Sequence, residues 1–284
     1  MPELPEVEVA RRQLARWTAD RPIVRIHVPD AAVVRRSLSS KPSDVLAGGV
    51  DRLREVVGHV PSEPVRHGKR LGWVVGPVGL LAHFGMTAHL VRRPPGETPD
   101  QARLGIEVAD AVVWFVDGRR FGCVTPVPIP DLEDRLREGC GPDALLEPLD
   151  GAAMRTTFRG KKAVKVALMD QVKLAGLGNI HAAEACFRAR IDPATPCASL
   201  RVDDWERLAD AVLVQLRETV VAEDVDEDMV YVNLGGPNPF SVYRREGEAC
   251  GVCGSVVRAT ELGGRTTYWC PGCQPARDAE PGVG

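Results

Sequence analysis

Four cysteines near the carboxyl end constrain this chain more than any other feature. They fall as Cys250-Gly-Val-Cys253 and Cys270-Pro-Gly-Cys273, two CxxC pairs separated by sixteen residues. Thiolates on two knuckles at this spacing make a tetrahedral zinc site. Four protein ligands close the coordination shell, so the expected ion is a single structural zinc with no position left for water or substrate. The alternative is a chance pair of redox motifs, which the matched spacing disfavours. Val256–Leu262 and Thr266–Trp269 read as the two strands of a hairpin between the knuckles, with Arg265 carried on it. No organic cofactor is expected.

The other four cysteines, Cys123, Cys140, Cys186 and Cys197, are scattered and read as plain core or surface residues. No basic stretch followed by an apolar one opens the chain, so a signal peptide and a disulfide framework are both unexpected. The longest apolar run, AVVWFV at 111–116, is six residues and far too short to cross a bilayer. A cytoplasmic location follows as the expectation, without a membrane partner. At 284 residues the chain is long enough for two domains.

Net charge is −3, which does not by itself announce a nucleic-acid binder. The distribution is more informative. Residues 1–130 carry 18 Lys and Arg against 14 Asp and Glu, whereas residues 131–284 carry 18 against 25. Inside the acidic half, Arg155 to Lys173 holds six basic residues and one acid. Screening leaves only nearby charges effective, so such a strip can still grip a polyanion.

The first 130 residues read as mostly β, with short β-branched or aromatic runs at 23–28, 71–75, 80–83 and 112–116 bounded by Gly and Pro. Short strands at close spacing suggest a sandwich or barrel. One helix from about Pro5 to Arg16 precedes them, with Pro5 in its first turn and Glu6 and Glu8 at the positive end of its dipole. PVPIPD at 126–131 looks like a linker. Helical patterns then follow over 163–170, 179–189 and 202–221, with KLAGLG at 173–178 as a turn and Asn179 as a candidate cap. AEDVDED at 222–228 reads as an acidic loop and GGPNPF at 235–240 as a further turn.

The chain opens MPELPEVE. Removal of an initiator methionine before a small residue would leave Pro2 with a free secondary amine. An α-amino group titrates near about 7.7–8.0, so a usable neutral fraction exists at physiological pH. Attack on an aldehyde-like carbon would give an iminium, an electron sink for elimination at the neighbouring carbon. Glu3, one residue on, is placed to donate a proton to a sugar oxygen or to steer the nucleophile. Taken alone, the segment reads sooner as a helix lead-in without chemistry than as a nucleophile.

It does not stand alone. MPELPEVE, HFGM (83–86), DGRRFG (117–122), GLGNIHAAE (176–184) and CGVC…RTTYWCPGCQ, in that order, resemble the formamidopyrimidine-DNA glycosylase and endonuclease VIII family, with HFGM and GRRFG pointing to the formamidopyrimidine branch. The resemblance implies an α+β multidomain fold: an N-terminal β-sandwich with a flanking helix over 1–130, a helical domain with a helix–two-turn–helix over 131–240, and a zinc finger with tail over 241–284. It implies excision of oxidised bases and strand cleavage on double-stranded DNA carrying damaged bases or abasic sites, by a monomer in a bacterial cytoplasm.

Carried over by residue, Pro2 resembles the family's nucleophile at C1′, Glu3 the acid that opens the sugar, and Lys69 the phosphate-contacting lysine that aids proton transfer. Met86, Arg119 and Phe121 match the side chains that fill the void left by an extruded nucleotide; otherwise Met86 and Phe121 are core residues. Lys161, Lys165, Asn179, Tyr243 and Arg265 match phosphate-binding positions, and Arg265 also the arginine of δ-elimination. Three stretches depart from the pattern: 100–108, the acidic 222–240 where the family keeps a cover for the flipped base, and Arg244 in place of a glycine. A non-catalytic damaged-DNA-binding protein, or an endonuclease VIII-like glycosylase for oxidised pyrimidines, are the alternatives.

Overall fold

A computed structural model describes residues 2–225, 228 and 235–276. The chain divides into two compact units, Met1–Glu138 with Val220–Gly236, and Gly139–Thr219 with Pro237–Gly284. Among the described residues no helix is long and apolar enough to cross a membrane.

The first unit begins with helix α1 (Leu4–Thr18). After it come strand β1 (Arg25–His27), helix α2 (Gly49–Arg54), and strands β2 (Val65–His67), β3 (Arg70–Val75), β4 (Val78–His83), β5 (His89–Arg93), β6 (Ala102–Val108), β7 (Ala111–Val116) and β8 (Cys123–Val127). Helix α3 (Leu132–Arg137) closes the run. Two antiparallel four-stranded sheets result, in the orders β1-β6-β7-β5 and β2-β3-β4-β8. They enclose a core of Leu71, Trp73, Leu80, Leu104, Val113 and Phe115, into which α1 sends Val7, Leu14 and Trp17. The expected sandwich and its flanking helix are therefore present.

Strand β7 explains the one continuous apolar run. Val113 and Phe115 face the inter-sheet core, whereas Val112, Trp114 and Val116 join a second cluster with Val91 and Ala102 on the opposite face. A strand covered on both faces needs no polar alternation. Gly105 lies opposite Trp114, and a Cβ there would come within 2.6 Å of the indole ring. Only glycine leaves room for that tryptophan.

PVPIPD is not a free linker: Pro126 and Val127 belong to β8 and pair with Leu80 and Gly79. Because β8 is an edge strand, the missing proline N–H costs the sheet nothing.

The second unit holds helices α4 (Gly151–Thr157), α5 (Val164–Leu168), α6 (Asn179–Arg188) and the greater part of α7 (Val202–Glu223), with strands β9 (Arg258–Leu262) and β10 (Arg265–Trp269) as an antiparallel hairpin. Trp205, Leu208, Val212 and Leu216 recur at helical spacing on α7 and are buried. Phe158 stacks on Trp205 at 6.2 Å, and Leu168, Leu174, Leu177 and Ile180 complete the interior.

Candidate active site and nucleic-acid interface

In the first unit, Pro2 is buried and leads directly into α1. Glu3 is the N-cap and is only 2% exposed. Its side chain accepts the Glu6 amide, while the Glu6 carboxylate accepts the Glu3 amide at 2.8 Å, a reciprocal capping box. Pro2 and Glu3 are thereby held at the positive end of a helix.

One turn on, Glu8 gathers three arginines: Arg11 at 2.9 Å, Arg12 at 2.9 Å and the buried Arg66 at 3.1 Å. Burial pushes the Glu8 carboxyl up, but the hydrogen bonds from Arg11 and Arg12 and the charges of Arg11 and Arg66 outweigh it and hold it at about 2. Arg66 also donates to the Gly68 carbonyl at 3.0 Å. Gly68 precedes Lys69 in the β2–β3 turn, so α1 and the Lys69 turn share one ionic anchor. The sequence places Glu8 on the helix dipole but gives no sign of Arg66, because their partnership spans 58 residues and has no local signature.

Met86 sits partly exposed in the turn between β4 and β5. Arg119 and Phe121 lie in the loop between β7 and β8, and the Arg119 guanidinium is 5.2 Å from the centre of the Phe121 ring. Phe121 is 45% exposed, so core packing is not its role. His83, at the end of β4, accepts the Gly85 amide on Nδ1 at 3.2 Å. Burial, then the charges of Arg70, Lys69 and Arg35, lower its pKa to about 4 and keep the ring neutral near pH 7.

In the second unit, Asn179 does not cap α6. Gly178 is the N-cap, and no side chain caps the helix. Asn179 occupies the first helical position and is a cross-link instead: its Oδ1 accepts the Lys165 ammonium, and its Nδ2 donates to the Thr266 carbonyl on β10 at 2.8 Å. Arg265, next to Thr266, is exposed. The structure thus brings together Lys165, Asn179 and the Arg265 strand at a helix N-terminus, a natural anion site. Lys165 is fully buried rather than solvent-facing, and its ammonium is spent on the half-buried Asn179. Lys161 is exposed on the preceding loop.

Tyr243 meets Tyr268 edge-to-face at 5.3 Å and Phe240 at 6.0 Å. The turn that carries it is held by Glu184 of α6, which is 2% exposed and accepts the amides of Ser241, Val242 and Tyr243, each at 2.9 Å. Glu184 lies within GLGNIHAAE, yet nothing local in that motif betrays its partners.

The four cysteine sulfurs lie within 4.8 Å of one another, with Cys250–Cys273 at 3.8 Å and Cys253–Cys270 at 3.4 Å. A tetrahedron with Zn–S bonds of about 2.3 Å has edges of about 3.8 Å, so the set fits zinc. Cys250 and Cys270 pack with Phe187, Val242 and Val257, which ties the knuckles to α6.

The same order of parts is found in known proteins. Residues 1–124 match the formamidopyrimidine-DNA glycosylase N-terminal domain, 140–228 the formamidopyrimidine-DNA glycosylase H2TH domain, and 247–276 the zinc finger found in FPG and IleRS. A formamidopyrimidine-DNA glycosylase of Streptomyces avermitilis is 35% identical, with 97% of this chain and 98% of that protein covered. The chain belongs to the formamidopyrimidine-DNA glycosylase family. Two solved relatives of that family superpose over 97% of this chain and 100% of theirs: MutM in complex with carbocyclic 8-oxo-G containing DNA (25% identity, TM-score 0.81) and the Lactococcus lactis Fpg with an abasic site containing DNA (26% identity, TM-score 0.83).

Against this formamidopyrimidine-DNA glycosylase pattern, the departures acquire physical detail. Arg244, where a glycine was expected, has φ +58°, the left-handed region that glycine enters without strain. Its guanidinium lies 5.7 Å from the centre of the Tyr243 ring. In the acidic stretch, Asp224 pairs with Arg12 at 2.7 Å and Arg16 at 2.9 Å, and Asp228 with Arg93 at 2.6 Å. These carboxylates are neutralised by arginines of their own unit. Residues 226, 227 and 229–234, where a cover over the flipped base was expected, lie outside the described residues.

Proposed function

We propose that this chain is a bifunctional DNA glycosylase and AP lyase of base excision repair, removing oxidised or ring-opened purines from duplex DNA. The observation that carries the reading is the wedge of Phe121, Arg119 and Met86. An exposed aromatic ring with a guanidinium over it, on a loop beside a methionine turn, suits insertion into a base stack. Family membership supports the chemistry.

Pro2, with Met1 removed, attacks C1′ through its amine lone pair. The glycosidic C–N bond breaks and the base leaves with the electron pair, taking up a proton. Glu3 protonates the ring oxygen as the sugar opens, and an iminium forms between Pro2 and C1′. Loss of a C2′ proton expels the 3′ phosphate. A second elimination, with Arg265 at the 5′ phosphate, completes β,δ-cleavage, and hydrolysis returns Pro2. Lys69 holds a phosphate and assists proton transfer, while Lys161, Asn179 and Tyr243 fix the backbone register and the buried Lys165 holds Asn179 in place. Chemistry is assigned to residues 1–130, the phosphate grip to 131–240 and the zinc hairpin to 241–284. The enzyme acts as a monomer in the bacterial cytoplasm.

Borohydride tests this directly. Protein lacking Met1, verified by intact mass, is expected to give a stable adduct with an abasic duplex. Pro2→Gly traps far less, and Glu3→Gln loses base excision while keeping lyase activity. A wild-type protein that binds the duplex without forming an adduct is a damage-binding protein instead.

A further inference from the structure

Asp117 directly follows β7, is 1% exposed and has no part in the chemistry above. Its Oδ1 accepts the Thr87 hydroxyl at 2.8 Å and the Arg119 amide at 3.1 Å, and its Oδ2 accepts the Gly122 amide at 2.7 Å. Thr87 follows Met86, whereas Arg119 and Gly122 bracket Phe121. One buried carboxylate is therefore bonded to both loops that carry the wedge.

Two further features show that these loops are held as a unit. Arg35, 2% exposed, grips the opposite side of the second loop, donating to the Arg120 carbonyl at 2.6 Å and the Phe121 carbonyl at 3.4 Å. Arg120 has φ +60°, a conformation that a non-glycine residue keeps only when its surroundings impose it. The loops also touch: a Cβ on Gly85, at φ +57°, would come within 2.5 Å of the Phe121 carbonyl carbon.

We propose that Asp117 is a positioning residue for lesion extrusion, locking the Met86 turn and the Arg119–Phe121 loop into one rigid wedge before DNA arrives. The physical gain is preorganisation. Side chains that are already ordered lose little freedom on entering the stack, so more of their contact energy goes into displacing the nucleotide. The inference rests on the void-filling reading of Met86, Arg119 and Phe121.

Asp117→Asn places an amide N–H where an amide donor now finds an acceptor and loosens one loop. Its single-turnover excision from a lesion duplex is expected to fall about tenfold. Fluorescence of 2-aminopurine beside the lesion should rise more slowly by a similar factor. Borohydride trapping on a single-stranded abasic oligonucleotide, which needs no wedge, should stay within about twofold. In a Met86→Ala, Arg119→Ala, Phe121→Ala background the same substitution should cost less than about twofold, because nothing remains to position. Thr87→Val removes one bond without touching the second loop, and gives a smaller loss with the same non-additivity if Asp117→Asn folds poorly. Equal losses with and without the wedge, or unchanged extrusion in both single variants, overturn the positioning role. If the triple variant itself extrudes the base at the wild-type rate, the void-filling reading fails and this inference with it.

Discussion

Replacing Glu184 by Gln changes one buried atom and leaves the volume of α6 intact. The carboxylate now accepts three backbone amides, from Ser241, Val242 and Tyr243. Hydrogen bonds to a charged group contribute about 1.5–3 kcal/mol each against about 0.5–1.5 for neutral ones, so the two bonds that a Gln carbonyl retains weaken by about 1 kcal/mol each. The third amide faces an NH2 group, and an unsatisfied buried donor costs about 1–3 kcal/mol. The expected loss is about 3–5 kcal/mol. At about 2–4 °C per kcal/mol this lowers the melting temperature of the zinc-loaded protein by about 10 °C. Because the freed turn carries Tyr243, affinity for a duplex with a tetrahydrofuran abasic analogue should fall at constant salt, with no change in the intrinsic trapping step once saturated. A variant that melts within 2 °C of wild type and binds as tightly would show that water replaces the carboxylate and that Glu184 does not organise the turn.

Zinc analysis of freshly purified protein should find one ion per chain, and Cys253→Ser should lose it and bind DNA weakly; protein that is zinc-free and fully active refutes the metal reading. Acid sensitivity follows from two lowered pKa values, about 4 for His83 and about 2 for Glu8. In each case the unfolded chain binds more protons than the folded one, so stability falls with pH, from about 6.5 toward 4 for His83 and from about 4.5 toward 2 for Glu8. His83→Gln should flatten the melting profile in the upper window and Glu8→Gln in the lower; a His83→Gln profile parallel to wild type rules out the first assignment. Lesion panels opposite all four bases should show strong cleavage at preformed abasic sites and reduced preference for 8-oxoguanine relative to ring-opened or further-oxidised bases, if the acidic 222–240 stretch replaces the family's cover as the sequence leads one to expect. High selectivity for 8-oxoguanine opposite cytosine would show that this departure does not govern recognition.

Local spacing and local chemistry were legible in the sequence. The cysteine quartet, the α1 start at MPELPEVE and the hairpin around Arg265 each depend on residues a few positions apart. The sandwich was legible as a class, because short β-branched runs between Gly and Pro leave few other architectures. Asn179 shows where local reading stops: an Asn ahead of a helix suggests a cap, but tertiary partners on α5 and β10 claim its amide and Gly178 takes the cap. PVPIPD failed for a related reason, since only the sheet order reveals that its first residues lie on an edge where proline is tolerated. Glu8, Asp117 and Glu184 were invisible as site residues. Each is a buried acid with at least one partner distant in sequence, Arg66 for Glu8, Thr87 for Asp117 and the 241–243 turn for Glu184, and no periodicity encodes those pairings.

The pairing of Asp224 with Arg12 and Arg16 also bears on the order in which the molecule is made. Ribosomes deliver the chain from its amino end at about 5–20 residues per second. Helix α1 emerges first, yet the carboxylate that binds its outer arginines lies 212 residues after Arg12 and 208 after Arg16. For most of synthesis the amino terminus therefore belongs to a helix that lacks one of its own clamps. This order also means that the first unit is completed only after residues 139–219 of the second have been translated, so a nascent chain cut short inside α7 would carry α1 without the acid that secures it.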